Sequence, residues 1–121
     1  MSPQVKFCGC ARDGERGLVM LFNALSPTFM QRSIAITAYF DCPAPCWSVS
    51  VVSSASKVYE LDSPVANILG EIILHWTTYD DSSYDLSREG KCLAVKAVKW
   101  LFRQNILYFA NDGYDLELRQ S

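Results

Sequence analysis

Apolar and polar side chains alternate along much of the chain, and this period of two predicts β-strands. The clearest case is the segment 33–41, where Ile34, Ile36 and Ala38 would share one face of a strand. Further strands are predicted at 4–8, 18–22, 47–51 and 57–61. The strands at 33–41 and 47–51 are expected to pair with each other. The charged stretch 9–17 is expected to be an exposed loop.

The C-terminal end of the chain has the pattern of a β-hairpin. Two runs of strand-favouring residues, 106–110 and 114–119, flank the sequence Asn-Asp-Gly at 111–113. These three residue types tolerate the positive φ that tight hairpin turns require. In the second run Leu116 and Leu118 alternate with charged residues, so one face would be buried. The last strand would leave an open edge through which two copies could pair.

Two segments show helical spacing instead. Apolar residues within 64–78 recur every three or four positions, and a Ser-Pro pair at 63–64 supplies a capping hydroxyl and an initial proline. A second helix is predicted from Ser87, as its cap, to about Gln104. The order of elements indicates one α+β domain over 1–121. Its largely antiparallel sheet would carry two consecutive helices on one face and end in the hairpin.

Composition narrows the classes of function. Half of the 121 residues are hydrophobic and 20% are charged, which are the proportions of a folded globular domain. The formal net charge is -2, whereas proteins that bind duplex nucleic acid usually carry a basic excess, so duplex binding is not expected. No apolar run approaches the roughly 18 residues that cross a bilayer, so no membrane span is expected. The odd number of cysteines and the lack of an export pattern predict a cytoplasmic protein.

Groups that could carry chemistry are few. His75 is the only histidine, and it lies within the first predicted helix, where a structural role is expected. Cys8 with Cys10, and Cys42 with Cys46, form two close pairs, but neither has the two-residue spacing usual in structural zinc sites. We therefore expect no metal and no cofactor. A zinc site on the four thiols, or a disulfide between the second pair, is left open.

Segregated charge is the main pointer to function. The second predicted helix carries five cations, three of which fall on one face, and the segment ahead of it is acidic. Either surface could meet a protein of complementary charge. The six residues predicted to bind a partner are three cations and three carboxylates: Lys96, Lys99, Arg103, Asp80, Asp81 and Asp85.

These observations favour a protein-binding domain over an enzyme. Small acidic α+β domains without a catalytic set often act by occupying another protein's surface, as immunity proteins and antagonists of host defence do. The expected function is that of an inhibitor or adaptor. The alternative is a small enzyme, or a ligand- or metal-binding sensor, that uses Cys42, Cys46 or His75.

Overall fold

The computed structural model describes residues 3–13, 17–39, 46–51, 58–60, 76–78 and 84–119. The strands are β1 (Gln4–Asp13), β2 (Gly17–Leu25), β3 (Gln31–Tyr39), β4 (Cys46–Val51), β5 (Val58–Glu60), β6 (Trp76–Thr78), β7 (Tyr84–Leu86), β8 (Leu107–Ala110) and β9 (Asp115–Leu118). One helix, α1 (Arg88–Arg103), lies between β7 and β8. Strands β1 to β5 form one sheet in chain order, and every pairing in it is antiparallel. The pairs β6-β7 and β8-β9 are two-stranded.

The core lies between the inner face of the five-stranded sheet and helix α1. Alternate residues of the central strands, including Met20, Phe22 and Ile36, are buried at 1% exposure or less. Ala94 and Leu101 of α1 belong to the same cluster and are fully buried. Period-two strands and a helix with one apolar stripe bury their apolar sides against each other. The C-terminal hairpin adds three leucines to the same core: Leu107, Leu116 and Leu118.

A β-bulge in β1 sets which side chains reach the core. The register of β1 with β2 shifts between Phe7 and Gly9, so Cys8 is the extra residue. One inserted residue reverses the alternation of a strand. Cys10 is therefore opposite the buried Met20 and packs against the core, whereas Cys8 is exposed.

Both ends of α1 are capped by local chemistry. The Ser87 hydroxyl accepts the backbone N–H of Gly90 at 3.2 Å, as the sequence predicts. At the other end Asn105 takes φ +56°, and the N–H of Ile106 donates to the carbonyl of Leu101 at 3.0 Å. This is the Schellman motif, in which a residue of left-handed conformation ends the helix.

The C-terminal hairpin is confirmed. Leu107 is opposite Leu118, and Asn111 and Asp112 both take positive φ in the connecting turn. Its turn contacts the turn between β2 and β3, where the Thr28 hydroxyl donates to the carbonyl of Gly113 at 3.4 Å. The hairpin is thereby held against the main sheet. Among the described residues β9 pairs with β8, and pairing of its other edge with a second copy stays a prediction.

The α+β class and the antiparallel sheet are confirmed, including the pairing of 33–41 with 47–51 as β3 with β4. The expected loop at 9–17 is wrong for 9–13 and 17, because β1 continues to Asp13 and β2 already begins at Gly17, and residues 14–16 lie outside the described ones. β1 is an edge strand of the five-stranded sheet, a position at which charged residues are tolerated.

The predicted pair of consecutive helices is not what the described residues show. Residues 64–75 lie outside them, and Trp76–Thr78, the expected end of the first helix, form β6 instead. Tryptophan and threonine fit a strand well, and β7 supplies the pairing partner. The described part of the chain therefore contains one helix, preceded by a short β6-β7 ladder.

Candidate protein-binding surface

Helix α1 exposes one line of side chains along its whole length. We call it the basic stripe, and its members are Arg88, Cys92, Lys96, Lys99 and Arg103, all of which are exposed. The exposed Glu89 lies at the N-terminal end of the same face and, within the described helix, is its one carboxylate. Successive members are three or four residues apart, which keeps them on one side of a helix. The stripe is about 22 Å long at 1.5 Å per residue. The opposite side of α1 faces the core, so this is the side that a partner can reach.

The cations of the basic stripe are not neutralised within the described part of the chain. No ion pair involves Arg88, Lys96, Lys99 or Arg103 among those residues. Like charges three or four residues apart on a helix cost about 0.2–0.5 kcal/mol per pair. The arrangement is therefore unfavourable for the isolated helix, and an anionic partner would remove that cost.

Of the predicted carboxylates, Asp80 and Asp81 lie outside the described residues. Asp85 lies on β7, and its Oδ2 is 3.3 Å from the Nζ of Lys91. Its Oδ1 accepts the backbone N–H of Leu86 at 2.8 Å and the thiol of Cys10 at 3.6 Å. The structure thus separates Asp85 from the basic stripe and uses its carboxylate to join three elements. A role for it in partner binding stays a prediction.

The environment of Cys10 makes it a poor nucleophile. Burial raises the pKa of its thiol to about 12, and the negative charge and hydrogen bond of Asp85 act in the same direction. The nearby ammonium of Lys91 opposes this only in part. Because the thiolate is the reactive form, Cys10 stays protonated and unreactive near neutral pH.

The charge of Asp85 is maintained by its contacts. Burial acts to raise the pKa of this carboxyl, but the hydrogen bond from Leu86 and the ammonium of Lys91 outweigh it and lower the pKa below its ordinary value. Lys91 also lies over the ring of Phe7, with its Nζ 5.9 Å from the ring centroid. These contacts fix Lys91 at the border of the core, so it is not part of the basic stripe.

The groups considered for metal binding or catalysis are not brought together by the described structure. His75 and Cys42 lie outside the described residues, as does the side chain of Cys46. The bulge turns Cys10 inward and leaves Cys8 exposed. Within the segments that the structure describes, no three histidine, cysteine, aspartate or glutamate side chains form a metal-binding group.

Arg88 is a member of the basic stripe that the sequence prediction did not include. The signal was present, because Arg88, Cys92 and Lys96 follow each other at intervals of four. What spacing alone could not show is whether each cation has an acidic neighbour from another element. Lys91 has one and the four stripe cations do not, among the described residues.

Comparison with known proteins adds no functional assignment. The chain matches no family model, and no curated protein and no solved structure is detectably similar to it. In the part of the chain that is described, no helix is both long and apolar enough to span a bilayer.

Proposed function

We propose that this protein is a protein-binding domain, an inhibitor or adaptor, that places the basic stripe of α1 against an acidic surface of another protein. The observation that carries the proposal is a line of four exposed cations without ion pairs among the described residues. Complementary charge speeds the encounter of two proteins and sets the register of the complex. Lys96, Lys99 and Arg103 are the proposed contacts, with Arg88 at the far end.

The overall charge favours a protein partner over duplex nucleic acid. The chain has 13 acidic residues against 11 lysines and arginines, and four of these cations are concentrated in the stripe. The rest of the surface would therefore repel a long polyanion. A folded protein with a limited acidic patch would meet the stripe and avoid that repulsion.

Charge reversal within the stripe tests the proposal. We expect a stoichiometric partner to co-purify with the protein from its native source and to be lost from a Lys99→Glu, Arg103→Glu variant. Lys6→Glu with Arg119→Glu is the matched control, because both residues are exposed and neither is on α1. The amount of partner per bait is measured by quantitative mass spectrometry at low and high salt.

Two results would contradict the proposal. One is the recovery of no stoichiometric partner with the unchanged protein. The other is an equal loss of partner in both double variants, which would indicate a general effect of charge. Chemical cross-links between the partner and Lys96 or Lys99 would locate the contact on α1.

No specific contact among the described residues supports the other expectations from the sequence. The alternative of an enzyme or sensor depends on Cys42, Cys46 and His75, of whose side chains the structure describes nothing. The cytoplasmic location stays a prediction. An inhibitor and an adaptor differ in what the partner does after binding, so an activity assay of the captured partner distinguishes them.

A further inference from the structure

A pocket of about 470 Å³ lies where the C-terminal end of α1 meets the start of β1 and the turn after β2. Most of its wall is apolar and is formed by Leu25, Pro27, Phe102, Leu107 and Phe109. The rings of Phe102 and Phe109 stack in this wall with their centroids 5.7 Å apart. Its volume and apolar lining are those of sites that bind compact apolar groups.

The pocket adjoins the basic stripe. Phe102 directly precedes Arg103 and lies three residues, about 4.5 Å along the helix axis, beyond Lys99. Asn105, which ends the helix, also lines the pocket and is exposed. The apolar cavity and the cations Lys99 and Arg103 therefore lie within about one helical turn of each other at the C-terminal end of α1.

We propose that the pocket receives one bulky apolar side chain of the acidic partner, followed in the partner's chain by carboxylates that pair with Lys99 and Lys96. This inference rests on the proposed function and names the kind of segment that binds. Charge complementarity selects this occupant. An uncharged ligand would gain nothing from the stripe, whereas a segment with an apolar anchor and acidic residues uses both features.

The direction of the acidic residues also follows from the structure. None of the described residues that line the pocket is a cation, whereas the basic stripe begins at Arg103, next to Phe102 of the pocket wall. The partner's acidic residues should therefore extend along α1, about 4.5 Å to the level of Lys99 and about 9 Å to Lys96. In an extended chain these distances correspond to about one and about three residues beyond the anchor.

Synthetic peptides test the inference without knowledge of the native partner. The first carries a fluorescent label and one tryptophan, with glutamates about one and about three residues later. The second has serine in place of the tryptophan, and the third has glutamines in place of the glutamates. By fluorescence anisotropy we expect the first to bind at least about tenfold more tightly than either of the others.

Two protein variants assign the tryptophan to the pocket. Gln4 is exposed, lines the pocket and is opposite Leu25, so Gln4→Trp should fill the cavity and remove the preference for the tryptophan peptide. Gln31→Trp is the matched control, because Gln31 is also exposed and opposite Leu25 but does not line the pocket. Lys99→Glu with Arg103→Glu should remove the preference for glutamate over glutamine and keep that for tryptophan over serine.

Several results would overturn the inference. Equal binding of the tryptophan and serine peptides, absence of binding, or an unchanged preference in Gln4→Trp would each do so. If decanoate binds the unchanged protein and the Lys99→Glu, Arg103→Glu variant equally well, the pocket is a site for a free amphiphile. If the protein self-associates and Gln4→Trp abolishes this, the pocket is occupied by a second copy of the chain. If the peptides fail while Lys99→Glu with Arg103→Glu still loses the native partner, only the pocket inference is wrong.

Discussion

The Oδ2 of Asp85 lies 3.3 Å from the Nζ of Lys91 and joins strand β7 to helix α1. The other oxygen of the same carboxylate accepts the N–H of Leu86 and the thiol of Cys10, which extends the connection to β1. A single side chain thus links β7 and the helix that follows it to β1, which is distant in the sequence. It also positions α1, and with it the basic stripe, relative to the sheet.

Replacement of Asp85 by asparagine should lower stability. The substitution removes the charge that pairs with Lys91 and weakens the acceptor for Leu86. Because the two paired side chains are 25% and 43% exposed, solvent screening limits the effect to about 1 kcal/mol of unfolding free energy. Urea denaturation measures it. Asp112→Asn, in an exposed turn where asparagine suits the positive φ, should change stability by less than about 0.5 kcal/mol, and equal losses would contradict the assignment.

The lowered pKa of Asp85 predicts a loss of stability in acid. The folded state holds this carboxyl deprotonated more strongly than the unfolded state, in which the pKa is near 3.8. The stabilisation is therefore complete above that pH and is lost as the pH falls through the folded-state pKa. In a pH series of urea melts, the difference between the unchanged protein and Asp85→Asn should shrink below about pH 4. A difference that is constant down to pH 2 would exclude this linkage.

Cys10 predicts the opposite dependence at alkaline pH. Its thiol has a pKa of about 12 in the folded state against 9.0 when unfolded, so the folded state keeps a proton that the unfolded state releases. Its stabilising effect is present below pH 9 and declines as the pH rises from 9 towards 12. The difference in unfolding free energy between the unchanged protein and Cys10→Ala should decline over this range. If it does not, the thiol is less shielded than its contacts indicate.

Lys99→Glu should strengthen the helix while it weakens partner binding. The glutamate would lie three residues after Lys96 and four before Arg103, which converts two repulsive pairs into attractive ones. The expected gain is about 0.5–1 kcal/mol in unfolding free energy, and Lys99→Gln should give about half of it. Higher stability together with weaker partner binding would show that Lys99 serves binding and not the stability of the fold. A loss of stability in Lys99→Glu would show that this cation has a favourable environment in the fold.

Gly113→Ala should destabilise the contact between the hairpin and the main sheet. Gly113 takes φ +91°, and an added Cβ would come within 3.0 Å of the Thr28 hydroxyl oxygen. Left-handed backbone alone costs a residue with a Cβ about 1–2 kcal/mol. Thermal unfolding should show this loss, and Thr28→Ala in the same chain should recover only the part caused by crowding. Full recovery would mean that the backbone conformation costs nothing.

Most of the elements were predictable from the sequence because their signals are local. Turn residues at 111–113 specify the hairpin, Ser87 specifies the start of α1, and alternation specifies β3 and β4. The spacing of Lys96, Lys99 and Arg103 places them on one helix face without further information. These features depend on backbone conformations and hydrogen bonds among residues close in the chain.

Tertiary structure decided what depends on residues distant in the sequence. A charged segment became the end of β1 because of its position at a sheet edge, and Trp76–Thr78 became a strand because β7 pairs with it. Asp85 was drawn to Lys91 and Cys10 while the stripe cations were left without ion pairs among the described residues. The pocket beside the stripe is assembled from three separate segments. Burial, strand pairing and charge compensation depend on which residues are neighbours in space, and the periodicity of hydrophobic residues does not specify these neighbours.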